Sequence, residues 1–204
     1  MNKHKVPTGI EELDKTLGGG LPKGRLTHIY GSSSVGKSTL VYRILANDPE
    51  YTCLINTEGC FDRVYAKRQG VDIDKLFIMD TASSSNIFTF LNTALDKNLF
   101  KTIVVDSIAG LAYKDIYSYL AKELPAFIKK LETKDTVVIF TNQVRSKGKG
   151  LKPAHGTQIN ALSSVVLDIN GKHVIDGGFE SIIEVVKNRY GMPLGEIKLK
   201  LGDA

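Results

Sequence analysis

The sequence is poor in cysteine, with Cys53 and Cys60 alone among 204 residues. Their spacing fits no zinc pattern and no histidine cluster accompanies them, which removes a metal-stapled fold. Cys53 reads as a core residue and Cys60 as an incidental thiol, so nothing suggests an oxidising compartment. No apolar run approaches the roughly 20 residues that a membrane helix needs. The N-terminus, Met1-Asn2-Lys3-His4-Lys5, is charged but leads into no apolar stretch, so it does not read as a secretory signal and a cytoplasmic location is expected. Internal repeats, low-complexity tracts and a clear linker are also lacking. Acidic residues are missing from one whole region, between Asp135 and Asp168, where Arg145, Lys147, Lys149 and Lys152 cluster. The formal charge of +5 suits a polyanionic partner without demonstrating one.

The apolar fraction of 42% and charged fraction of 24% are ordinary for a globular chain. The length suits one α/β domain over residues 1–204, without room for a second of ordinary size. Leu26–Tyr30, Thr52–Asn56, Leu76–Met79, Thr102–Asp106 and Val137–Thr141 are short apolar runs, as expected of strands buried on both faces. Helical spacing fills 37–46, 86–95 and 115–132. Pro125 makes the last of these either a kinked helix or two helices, the second starting at Pro125. The alternation predicts βαβ units, with a mostly parallel sheet flanked by helices. After Gly156, the runs Leu162–Asn170, His173–Asp176, Ser181–Asn188 and Glu196–Leu201 predict antiparallel hairpins that extend one edge.

The run Gly31-Ser32-Ser33-Ser34-Val35-Gly36-Lys37-Ser38 matches the phosphate-binding P-loop, with a strand before it and a helix after. Its glycines let the backbone curl so that N–H groups face phosphate oxygens, and the helix N-terminus adds to that field. Lys37 then neutralises the β and γ phosphates of ATP, Ser38 ligates Mg²⁺, and Thr39 reaches the α-phosphate. The alternative is a Gly/Ser-rich turn that matches by chance. Asp106 ends the strand Ile103-Val104-Val105-Asp106, at the rim where such sheets bind ligands, and is the second candidate metal ligand. Glu58, just past Thr52–Asn56, faces the same rim and is the candidate for orienting the attacking water, the alternative being a surface glutamate in a turn.

Taken in order, these pieces resemble the core of the RecA/RadA recombinases. Pro7-Thr8-Gly9-Ile10, Leu17-Gly18-Gly19-Gly20-Leu21-Pro22-Lys23-Gly24-Arg25, the P-loop, Asn56-Thr57-Glu58-Gly59 and Asp62-Arg63-Val64-Tyr65-Ala66 belong to the match. So do Gly70-Val71-Asp72-Ile73-Asp74, Val105-Asp106-Ser107, Thr141-Asn142-Gln143-Val144-Arg145 and Val186-Lys187-Asn188-Arg189. The resemblance implies a RecA-like P-loop NTPase fold and a DNA-dependent ATPase using ATP and Mg²⁺. It makes Glu58 the catalytic glutamate, and Asp62 and Tyr65 the adenine contacts. Gln143 becomes the γ-phosphate sensor. Arg145, Lys147, Lys149 and Lys152 fall in a loop that grips single-stranded DNA by its phosphates. Lys187 and Arg189 become cations that reach a neighbouring protomer's γ-phosphate.

The resemblance also implies self-assembly with ATP at the protomer interface, and a recombinase or single-strand-binding protein as partner. Neither an N-terminal polymerisation segment nor a C-terminal domain is expected. The stretch 108–114 is short for a first DNA loop. The glycine pair that usually closes the second loop is replaced around His155-Gly156-Thr157-Gln158. The pattern therefore resembles minimal forms, the RadB-type paralogues or short viral RecA-like proteins, assisting recombination, annealing or repair. A KaiC-like signalling ATPase directed at a protein is the alternative, with a non-hydrolysing regulatory subunit and a small-molecule kinase behind it.

Overall fold

The computed structural model describes residues 4–48, 50–111, 116–147, 150–153, 156–175, 178–191 and 195–201. In chain order the elements begin with β1 (Lys5–Val6), α1 (Glu11–Leu17), β2 (Leu21–Pro22), β3 (Arg25–Gly31) and α2 (Lys37–Asn47). There follow β4 (Thr52–Asn56), α3 (Arg63–Arg68), β5 (Leu76–Asp80), α4 (Ser84–Asp96) and β6 (Thr102–Asp106). A 3₁₀ turn at Ile108–Gly110 leads to α5 (Ile116–Leu131), β7 (Val137–Lys147) and β8 (Gly150–Pro153). The last are α6 (Gly156–Leu162), β9 (Val165–Ile175), β10 (Gly178–Asn188) and β11 (Glu196–Leu201).

The main sheet has the order β11-β10-β9-β3-β7-β6-β4-β5, with β8 paired to β7. From β9 to β5 every neighbouring pair is parallel. β10 and β11 add to the other end antiparallel. This is the α/β sheet with an antiparallel C-terminal extension that the sequence predicts.

Successive residues of the inner strands face opposite sides of the sheet, and each side is closed by helices. Ile29, Leu54, Val104, Ile139 and Leu167 pack with Leu13 of α1, Leu40 and Ile44 of α2 and Ala66 of α3. Leu26, Cys53, Ile55, Ile103, Val105 and Phe140 pack on the other side with α4, α5 and Ile159 of α6. Burial pushes the Cys53 thiol up to about 12. No helix among the described residues is long and apolar enough to cross a membrane.

Three expectations change. The first apolar run after Gly156 does not start a strand at Leu162; residues Gly156–Leu162 form α6, which buries Ile159, and the strand begins at Val165. A seven-residue helix is too short to leave a periodic signal. His173–Asp176 is not a separate strand either, because β9 runs unbroken from Val165 to Ile175. The basic stretch after Gln143 is backbone-paired: Arg145 lies opposite Lys152 and Lys147 opposite Gly150, so β7 and β8 make a hairpin where a loop is expected.

Pro125 does not split α5, which is one helix over Ile116–Leu131. A proline there donates no N–H to the carbonyl of Ala121, four residues back. Its side chain is exposed, so replacing it removes no buried packing. Pro125→Ala is therefore expected to raise the unfolding free energy in urea by about 1–3 kcal/mol. Were Pro125 the first residue of a second helix, the substitution would leave stability level or lower it.

Candidate functional site

The carboxyl ends of β3, β4, β6 and β7 form one rim. Gly31 begins the P-loop there, and a Cβ at this position would overlap the carbonyl oxygen of Ile169 on β9, so only glycine lets the loop leave the strand. Gly36 turns the chain into α2 at φ +106°, a left-handed value that glycine adopts without strain. The loop ends as α2 starts, with Lys37 its first residue.

Lys37 is buried, and its Nζ donates to the carbonyls of Gly31 at 3.1 Å and Ser32 at 2.6 Å. Burial lowers its pKa, against the opposing pull of Asp106 and Glu58. Ser38 Oγ donates to Asp106 Oδ2 at 3.1 Å. Thr141 Oγ1, from the neighbouring strand β7, donates to Asp106 Oδ1. Burial raises the Asp106 pKa, opposed by those two hydroxyl donors and reinforced by the charge of Glu58. The Ser38 hydroxyl and Asp106 carboxylate together offer hard oxygen donors, a set that fits Mg²⁺.

Glu58 stands two residues beyond β4, and three donated bonds hold its carboxylate. Gln143 Nε2 lies 3.0 Å from each oxygen, and Ser107 Oγ donates to Oε1. Thr57 locks the bases of these two turns: its Oγ1 donates to the Ser107 carbonyl at 2.6 Å and accepts from Ser107 N at 2.8 Å. Lys37, Ser38, Glu58, Asp106 and Gln143 line one cleft of about 280 Å³, together with Ser34, Tyr42 and Phe61. The exposed thiol of Cys60 lines it too.

Asp62 is the N-cap of α3, with Oδ1 accepting from Val64 N at 2.8 Å and Tyr65 N at 2.9 Å. Tyr65 OH shares a 2.7 Å hydrogen bond with Thr39 Oγ1, so both predicted nucleotide contacts stand at the start of α2. Lys187 and Arg189 do share one side, as their spacing predicts, but they point at α6 of the same chain. Lys187 Nζ donates to the carbonyls of Asn160 at 2.6 Å and Ala161 at 3.1 Å, and Arg189 Nη2 donates to that of Ala161 at 3.3 Å. Two cations thus sit on the carbonyl end of α6, the end a helix presents as negative. Burial and the charge of Arg189 lower the Lys187 pKa. Of the basic hairpin, Arg145, Lys147 and Lys152 have described backbone on β7 and β8, and Lys149 lies outside the described residues.

Sequence reasoning gives no role to Ser107 and Thr141, which enter it only within matched segments, and passes over Ser181. A hydroxyl residue at a strand end or in a strand is shared by many structural positions and singles none of them out. Ser181 is wholly buried, and its Oγ donates at 2.6 Å to the carbonyl of Val35 in the P-loop. His28 of β3 is also missed: its Nδ1 donates to Asn160 Oδ1 of α6 at 2.5 Å, while Nε2 has no partner among the described residues.

The family model described as the RecA N-terminal domain matches residues 1–202. The chain is 31% identical to Protein RecA of Roseiflexus castenholzii over 96% of its own length, and 33% identical to Protein RecA of Haemophilus ducreyi over the same share. It spans 63% and 60% of the length of those relatives. The crystal structure of the RadB recombinase superposes with a TM-score of 0.78 over 96% of this chain and 95% of that one, at 19% identity, a likeness of fold.

Burial takes the His28 pKa down to about 4, against the opposing bond from Asn160. The folded value lies below the ordinary one, so between about 6.5 and 4 the unfolded chain holds the extra proton. Stability therefore falls as pH falls through that window, by at most about 1.4 kcal/mol per pH unit from this group. Proton-detected titration should keep the His28 ring neutral until about pH 4; a midpoint near the ordinary histidine value would refute its burial as an uncharged ring.

Proposed function

The chain belongs to the RecA family, and on that premise we propose that it is a minimal ATP hydrolase. It binds ATP with Mg²⁺ and single-stranded DNA, and it serves homologous recombination, strand annealing or repair. The observation that carries this reading is the single cleft holding Lys37, Ser38, Asp106, Glu58 and Gln143.

On this reading Lys37 gives up the carbonyls of Gly31 and Ser32 for the β and γ phosphate oxygens. Ser38 and Asp106 hold Mg²⁺, which when bound neutralises charge on those phosphates. Glu58 takes a hydrogen bond from the attacking water and orients it in line with the γ-phosphorus. Tyr65 and Asp62 border the base. Gln143 couples the site to DNA. Its amide is bonded to Glu58, and the chain runs on from it along β7 into the basic hairpin. A γ-phosphate oxygen competes for the Gln143 amide, and any shift passes to Arg145 and Lys147 through continuous strand.

Lys187 and Arg189 would act on a neighbouring protomer's ATP only by releasing the α6 carbonyls. Exposed dipole contacts of this kind contribute about 0.3–1 kcal/mol, which a phosphate can outbid. Self-assembly with ATP between protomers, a recombinase or single-strand-binding protein as partner, and a cytoplasmic setting complete the proposal.

ATP hydrolysis at moderate salt, with and without single-stranded DNA, tests it. Stimulation by DNA is expected, with binding of ATP lost in Lys37→Ala. The rate should fall about 10²–10⁴-fold in Glu58→Gln with binding kept. Charge reversal at Lys149 and Lys152 should leave ATP binding intact and lower the salt slope of DNA binding by about 0.7 for each lost contact. A rate indifferent to DNA, without salt-sensitive DNA binding, would point to a protein-directed ATPase.

A further inference from the structure

A second cleft, of about 250 Å³, adjoins the first and shares Ser34, Lys37 and Ser38 with it. Gly36, Thr39 and two rings, Tyr65 and Phe179, complete its lining. Tyr65 comes from α3 and Phe179 from the start of β10, more than a hundred residues later. The sequence assigns nothing to Phe179.

Its position follows from β10. Ser181 fastens that strand to the P-loop through the Val35 carbonyl. Side chains two apart on a strand share a face, so Phe179 faces the loop as Ser181 does. At the other ring, the bond between Tyr65 OH and Thr39 Oγ1 fixes Tyr65 beside the first turn of α2. The cleft thus has P-loop and α2 residues on one side and the rings of Tyr65 and Phe179 on the other. Glu58 and Asp106 line the first cleft and not this one.

We infer that Phe179 is a base-stacking residue, which with Tyr65 grips the purine of a nucleotide whose phosphates lie on Lys37 and Ser38. The inference rests on the nucleotide reading above and adds to it a contact from the antiparallel extension. Ribose and base must leave the loop on the side where the two clefts join, because they are continuous there. A flat π-face is the one thing both rings can offer. Such stacking favours any base and does not by itself tell adenine from guanine. The extension therefore has a role in the site as well as in the sheet: Ser181 positions, and Phe179 contacts.

The chain contains no tryptophan, so Phe179→Trp makes a single-fluorophore reporter. Its emission is expected to be quenched by ATP and unchanged by tripolyphosphate, which has no base. Phe179→Leu keeps an apolar side chain without a π-face. It should weaken ATP binding about tenfold while binding tripolyphosphate as the unaltered chain does, which also shows that the variant is folded. Equal ATP affinity in Phe179→Leu and the unaltered chain, or indole emission from Phe179→Trp that is blind to bound ATP, would overturn the inference and leave the nucleotide reading standing. An unaltered chain that binds neither ATP nor tripolyphosphate would overturn both.

Discussion

In the parallel sheet Gly31 on β3 is level with Gln143 on β7, and Asn56 on β4 is level with Asp106 on β6. That register is the constraint from which the rest of the cleft follows. A slip of one residue on any of these strands would turn its side chains to the other face and remove one member of the set. The register is enforced from below, because each inner strand sends alternate apolar residues into two separate helical layers. A strand buried on both faces cannot slip by one residue without exchanging the side chains fitted to the two layers, so both would have to repack. The apolar core thus specifies where the polar rim groups meet, and the rim need contribute little to stability.

Asp106 shows how the rim is tuned. Its carboxylate is largely withdrawn from water, which favours the neutral form. Hydroxyls from α2 and β7 restore part of the lost solvation. Those donors are neutral, and Lys37, hydrogen-bonded to loop carbonyls, offsets burial only as the smallest of the opposing influences. The site therefore carries an under-compensated anion beside a cation that is itself held back by burial. A polyphosphate with a divalent cation brings the opposite of each, positive charge for Asp106 and negative for Lys37. That complementarity is a stronger argument for the ligand class than cleft size.

That the P-loop, Asp106 and Glu58 stand on one rim was legible, because each stands at or just past the carboxyl end of a strand that the sequence marks by its apolar run. The strand alternation was legible because burial on both faces leaves continuous apolar runs. The partners of Glu58 were not. Ser107 and Gln143 converge on it from β6 and β7, 49 and 85 positions away in the chain, and no local pattern records that meeting. α6 was hidden for a different reason. It carries Ile159 and Leu162 in seven residues, too few for a period to be told from the start of a strand. The hairpin after Gln143 was hidden because glycine and lysine are weak strand formers, and tertiary pairing overrides that preference.

The last parallel strand and the antiparallel extension are easily taken for mere sheet closure, yet each touches the P-loop at one point. Ile169 of β9 presses on Gly31 so closely that no side chain fits between them, and Ser181 of β10 holds the Val35 carbonyl from the far side of the loop sequence. A loop rich in Gly and Ser has high conformational entropy, so by itself it would meet a nucleotide in many shapes. Two fixed contacts from outside the loop remove much of that freedom before any ligand arrives. Lys187 and Arg189, at the far end of the same extension, hold α6, which begins just after the basic hairpin. Strand β10 therefore carries both contacts, Ser181 to the P-loop and Lys187 to the carbonyl end of α6, so the placement of one is tied to the register of the other.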